Sequence, residues 1–145
     1  MEAGELTNRH DCMKQTTLCT LALTLAALSF ALTAVAGETN AVRRVSVDEF
    51  EKLSQAGTNV VLDVRTKKEF AAGHIAGAKN MDVNSPDFEK ELGQLDKTKV
   101  YLVHCAAGRR STLACEKMQK AGFKTLIEMS AGFRGWEKAG KPVEK

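Results

Sequence analysis

From position 42 onward, short apolar runs rich in β-branched residues exchange with segments whose apolar residues recur every three or four positions, so strands alternate with helices. Residues 42–47 read as a first strand. Ser46 followed by Glu49 has capping-box spacing and starts a helix that turns Phe50 and Leu53 inward and stops near Gly57. The run N-V-V-L-D-V over 59–64 has the unbroken apolar character of a central parallel strand buried on both faces. K-K-E-F-A-A then forms a short helix ending at Gly73, and 78–83 reads as a shorter, more polar strand nearer an edge. Ser85-Pro86 opens another helix, with proline at its first position and Phe88, Leu92 and Leu95 facing inward. A strand at 100–103, a helix from about Arg110 to Ala121 closed by Gly122, a strand over 125–129 and a helix over 132–139 bearing Trp136 complete the pattern. The fold expected is α/β, an open, mainly parallel sheet of about five strands with helices on both faces. It occupies 42–142, with residues 143–145 fraying.

The amino terminus belongs to a different pattern. Residues 18–36 are uncharged, follow Lys14 and end in Ala34-Val35-Ala36, the form of a secretory signal cleaved after Ala36. A retained membrane anchor is the alternative, because the run approaches the roughly 20 residues that span a bilayer. Scattered Thr and Ser, the Ala-x-Ala ending and the polar Gly37-Glu38-Thr39-Asn40 favour cleavage. Glu2, Glu5 and Asp11 suit a positive leading segment poorly, which points to Met13 as an alternative start. The expected location is therefore periplasmic or secreted, with 37–41 a short linker and no membrane contact beyond the export signal.

The formal charge of +3 over 145 residues becomes slightly more positive once the acidic leader leaves. That suits attraction of small anions, and without a stripe of Lys and Arg it excludes a nucleic-acid footprint. Cys12 and Cys19 leave with the signal, so Cys105 and Cys115 remain. With about 1.5 Å of helical rise per residue, their Cα atoms fall roughly 10 Å or more apart. A bridge needs less than about 7 Å, so no internal disulfide is expected and Cys115 is assigned to the core.

The chemistry concentrates in K-V-Y-L-V-H-C-A-A-G-R-R-S-T-L, residues 99–113. Cys105 stands at the carboxyl end of a strand, where open parallel sheets keep their ligand crevice. Ala106, Ala107 and Gly108 are small enough to let backbone N–H groups turn inward at the positive end of a helix, which makes an anion cradle. A thiol there ionises more readily than a free one, whose pKa is about 8.5. Cys105 is the candidate nucleophile. Asp63, at the end of a central strand, reads as a carboxylate that accepts backbone N–H bonds and fixes a loop. Arg65 and Glu69, four apart, are expected to pair across a helix start. His74 reads as a turn histidine satisfied by backbone groups. His104, Phe133 and Trp136 read as packing. No metal site is expected, since C-x-x-C, H-E-x-x-H and acidic loops are all missing.

At C-A-A-G-R-R followed by Ser111 the chain resembles the rhodanese family of sulfurtransferases, whose active-site loop has the form C-x-x-G-x-R-S. The resemblance extends to Asp63-Val-Arg65, to Glu69-Phe70 leading into Gly73-His74-Ile75-Ala76-Gly77-Ala78, and to Gly122-Phe123 with Gly132-Phe133-Arg134-Gly135-Trp136. It implies a rhodanese-like sheet and a double displacement that needs no cofactor. Cys105 would take the outer sulfur of an anionic donor such as thiosulfate and pass it, as a persulfide, to cyanide or a thiol. The amides of residues 106–110 would hold the sulfur, Arg109 and Arg110 would draw in the sulfonate, and Asp63, Arg65 and Ser111 would support the site, with Arg65 near the pocket mouth. Three alternatives stand beside this reading: a persulfide carrier that needs a protein partner, a cysteine phosphatase or arsenate reductase, and a purely structural interaction domain. Phosphatases use the longer C-x5-R loop, whereas the arginine here falls one residue earlier, at Arg110.

Overall fold

A computed structural model of the chain describes residues 41–145. The expected leader and its cleavage after Ala36, the alternative start at Met13, Cys12, Cys19 and linker residues 37–40 lie outside the described residues.

The elements follow in the order β1 (Arg43–Val45), α1 (Val47–Gln55), β2 (Val60–Asp63), α2 (Lys67–Ala72), β3 (Lys79–Asn80), α3 (Phe88–Leu92), β4 (Val100–His104), α4 (Arg109–Lys120), β5 (Thr125–Met129) and α5 (Gly132–Lys138). The five strands form one sheet in the order β1-β5-β4-β2-β3, and every pairing is parallel. This is the architecture the apolar runs predict.

Strand alternation divides the interior into two cores. Leu62, Tyr101, Val103 and Leu126 face Phe88 and Leu92 of α3 and Ala114, Cys115 and Met118 of α4. Val61, Leu102 and Ile127 face Phe50 of α1 and Phe133 and Trp136 of α5. Each fully buried large apolar side chain stabilises the fold by roughly 1.5–3 kcal/mol, so both sides of the sheet must be covered. The starts of α1 and α2 are fixed by side-chain caps: Ser46 Oγ accepts from Glu49 N at 3.2 Å, and Thr66 and Glu69 form a complete capping box on α2.

Three expectations need correction. The strand expected over 78–83 contracts to the two residues of β3, because Asn80 Nδ2 is drawn into donating to the carbonyls of Asp63 and Arg65 at 3.0 and 2.8 Å. Ser85-Pro86 does not open α3. Asp82 Oδ1 accepts from Asn84 N, and Ser85 Oγ accepts from Asp87 N, so local turns hold the chain until Phe88. Nor does the tail fray: His74 and Glu144 exchange backbone hydrogen bonds of 2.8 and 2.9 Å, and Trp136 Nε1 donates to Pro142 O. Among the described residues no helix is long and apolar enough to cross a membrane.

Candidate active site

β4 delivers Cys105 to the carboxyl edge of the sheet, and three small residues return the chain into α4. Gly108 has φ +92°, and a Cβ there would lie 2.6 Å from Ser130 O, so only glycine fits the turn. The loop is gripped from behind by the first turn of α5, where Phe133 N donates to Cys105 O at 2.7 Å and Arg134 N donates to Ala106 O at 3.1 Å. Gly132 lets this turn approach, since a Cβ on it would lie 2.5–2.6 Å from the backbone of Ala106 and Ala107.

The curled loop aims its donors at sulfur. Gly108 N donates to Cys105 Sγ at 3.2 Å, and Ser111 Oγ lies 3.6 Å from it. Burial pushes the Cys105 thiol up, but the Ser111 hydroxyl and the amides of Ser111, Ala107 and Gly108 outweigh it and bring the pKa below that of an ordinary thiol. Cys115 shows what burial does without such donors: desolvation, with Glu128 adding repulsion, drives it up to about 12. Both cysteines are buried and unbridged. The loop donors make Cys105 the more acidic of the two thiols, while Cys115 packs in the core.

Cys105 forms the floor of a cavity of about 390 Å³ lined by Ala106, Ala107, Arg109, Arg110, Leu113 and Arg134. The two loop arginines are not equivalent. Arg110 donates from Nη1 and Nη2 to the Glu69 carboxylate at 2.8 and 2.7 Å, so its charge is already matched. Glu69 answers with a pKa lowered to about 2, chiefly by those bonds. Arg109 is exposed on the rim. Arg134, from α5, adds an exposed guanidinium that the reading of the loop alone did not include.

Neither Asp63 nor Arg65 lines this cavity. Asp63 Oδ1 accepts from the backbone N of Arg65 at 3.0 Å, and the Arg65 guanidinium donates to both carboxylate oxygens and to Gly73 O. Arg65 therefore pairs with Asp63, not Glu69, because Glu69 is committed to Thr66 and Arg110. It is not at the pocket mouth but 4% exposed, its guanidinium 3.9 Å over the Phe133 ring, and it lines a neighbouring cavity with Glu69, Gly73, Phe133 and Arg134. His74 Nδ1 lies 3.1 Å from Phe70 O, and its ring stacks on Phe70. His104 is buried on the sheet face opposite Cys105, edge-on to Phe50.

Glu128 went unnoticed in the sequence. It is 1% exposed at the end of β5. Its Oε1 accepts from the hydroxyls of Ser111 and Thr112, both at 2.8 Å, and its Oε2 accepts from Arg44 Nε at 3.2 Å. Its signal was a single charge inside the apolar run T-L-I-E-M, on the inward-facing alternation. Among the described residues no group of three or more His, Cys, Asp or Glu could hold a metal ion.

Residues 46–139 match the rhodanese-like domain family. The chain is 28% identical over 97 residues to thiosulfate sulfurtransferase GlpE of Shewanella oneidensis, covering 67% of this chain and 94% of that one. It is 29% identical over 98 residues to the putative sulfur carrier protein YrkF of Bacillus subtilis, covering 67% of this chain but spanning only about half (52%) of that relative. Among solved structures, a rhodanese-related protein of Thermoplasma volcanium superposes with a TM-score of 0.62 at 27% identity, covering 70% of this chain and 97% of the other.

Proposed function

The chain belongs to the rhodanese-like domain family, and from that premise we propose that it is a thiosulfate sulfurtransferase working through a persulfide on Cys105. The observation that carries the reading is the Cys105 sulfur on the floor of the arginine-rimmed cavity, with Gly108 N donating to it at 3.2 Å. The thiolate attacks the outer sulfur of thiosulfate. A Cys105–sulfur bond forms, the sulfur–sulfur bond of the donor breaks, and sulfite leaves with the electron pair. The loop amides stabilise negative charge on the sulfurs while Arg109 and Arg134 hold the sulfonate end. Cyanide or a thiolate then attacks the outer sulfur of the persulfide and releases the Cys105 thiolate. These steps consume no oxidant and require no cofactor.

Export belongs to the same reading. Cleavage after Ala36 would deliver residues 37–145 to the periplasm or outside the cell, and N-terminal sequencing of exported protein is expected to begin at Gly37.

Incubation with thiosulfate and cyanide is expected to yield thiocyanate, and thiosulfate alone should add about 32 Da to the Cys105 peptide, the mass of one stored sulfur. Thiocyanate formation retained in Cys105→Ser would refute the assignment. Loading without turnover on small acceptors would favour the carrier reading that the Bacillus relative's name suggests. Hydrolysis of an aryl phosphate or reduction of arsenate without loading would favour the phosphatase-like alternative.

A further inference from the structure

Glu128 is a buried carboxylate that the transfer steps above leave unused. The register pairs it with Val103 and with Arg44, so it projects from the sheet face on which α4 lies and sits beneath that helix's first turn. Two hydroxyls there share two acceptors. Ser111 Oγ is 2.8 Å from both Gly108 O and Glu128 Oε1; Thr112 Oγ1 is 3.0 and 2.8 Å from the same pair. Gly108 O also receives Thr112 N at 3.1 Å, so it is satisfied whichever hydroxyl turns away. Of the two hydroxyls, Ser111 is the one in contact with Cys105 Sγ. Each hydroxyl has one proton to give.

We propose that Glu128 is a positioning residue that competes with Cys105 for the single proton of the Ser111 hydroxyl, with Thr112 serving as donor to the carboxylate whenever the serine turns to sulfur. While Cys105 is a thiol, its S–H donates to Ser111 Oγ and Ser111 donates to Glu128. Once the sulfur is a thiolate it has no proton to offer, and Ser111 rotates to donate to it while Thr112 holds Glu128. Attack on the donor moves the charge to the outer sulfur, and the serine returns to Glu128. Loss of that outer sulfur reverses the rotation. One proton turns about one C–O bond, and none is gained or lost. The benefit is a thiolate that stays reactive: Glu128 keeps a claim on the Ser111 proton, so the sulfur anion is stabilised less than by an uncontested donor, and a sulfur anion of lower pKa attacks more slowly. The charged and titratable groups facing this pair are Arg44 from β1, Arg109, Arg110 and Cys115 from α4, and Arg134 from α5.

The inference rests on the sulfurtransferase reading for its purpose, but its test needs no sulfur donor. The rate of Cys105 alkylation by iodoacetamide, followed by peptide mass in the full chain across pH, reports the ionisation of that sulfur. Glu128→Gln is expected to lower the apparent pKa by roughly one unit, since the neutral amide releases the serine proton to sulfur. Thr112→Val, which changes no charge and leaves Glu128 to hold Ser111, should raise it. In a Ser111→Ala background Thr112→Val should have no effect, and the shift from Glu128→Gln should shrink. An equal Glu128→Gln shift with and without Ser111 would reduce the effect to charge repulsion and overturn the proposal, as would an unmoved profile in Thr112→Val. If Glu128→Gln does not fold, the Thr112→Val and Ser111→Ala pair decides alone. Coupled profiles without persulfide formation would sink the sulfurtransferase reading and leave this one standing; persulfide formation with uncoupled profiles would do the reverse.

Discussion

Arg110 and Arg134 both line the cavity above Cys105, but Arg110 is held in a two-point pair by Glu69, so on the proposed reading Arg134 is the one of the two with charge left for thiosulfate. Arg134→Ala should therefore raise the KM for thiosulfate roughly tenfold, the scale of one charge-assisted hydrogen bond, with a smaller change in kcat. An unchanged KM would assign the sulfonate to Arg109 alone. Gly108 permits no such grading: an alanine there meets both a φ of +92° and a carbonyl oxygen 2.6 Å away. Gly108→Ala should lower persulfide formation by at least about tenfold, read by mass after thiosulfate, because the loop must shift to admit the methyl and the amide on sulfur shifts with it. Cys105 and its neighbours to Ser111 were legible in the sequence because a loop that wraps one atom is contiguous. Arg134 and Glu128 were not, since each reaches the site through sheet order and the docking of α5. The sequence did mark both, one inside G-F-R-G-W and the other as a charge in an apolar strand, but only the fold says what they face.

At the scale of elements, α2 links the sheet to the Cys105 loop. Its capping box uses Glu69 to satisfy Thr66, and the same carboxylate holds Arg110 across the crevice. Thr66→Ala should cost about 1 kcal/mol, measured by urea denaturation. The link also titrates. Arg110 holds Glu69 at about 2, below its ordinary value of 4.5. A lowered carboxyl pKa contributes stability that is complete above 4.5 and is lost as pH falls through about 2. The stability difference between wild type and Glu69→Gln should therefore hold steady above pH 4.5 and narrow below it. A difference that did not depend on pH would dissolve the link. The T-x-x-E spacing of this cap was present in the sequence, as was S-x-x-E at α1, and the apolar periods located every helix and strand to within a few residues. Ser85-Pro86 misled because helix-start residues also make turns, and the side chains of Asp82 and Ser85 settled that competition locally.

Across the whole molecule the carboxyl edge of the sheet carries a polar layer split between its two faces. Ser111 and Glu128 lie with Cys105 on the side of α4; Asp63, Arg65 and His104 lie on the side of α1 and α5. The first set is built around the Cys105 sulfur, and the second braces the strands that present it. Its weak member is His104, whose two ring nitrogens have no hydrogen-bond partner and whose Nε2 stops 3.8 Å from Asp63 Oδ2. Burial, only partly offset by Asp63, lowers its pKa from 6.5 to about 4. The unfolded chain therefore takes up a proton at a pH where the folded one does not, so stability is complete above 6.5 and is lost as pH falls through about 4. This window lies above that of Glu69, so the two acid steps are separable in one titration. His104→Phe keeps an aromatic ring against Phe50 and Phe133 and removes the titrating group. Urea midpoints at pH 7, 6 and 5 should fall in the wild type and stay nearly level in the variant. Persulfide formation at pH 7 should survive, because the ring lies across the sheet from Cys105. Parallel pH curves for the two proteins would show that the bracing face is indifferent to the protonation of its histidine, and would move the origin of acid sensitivity in this window to another group.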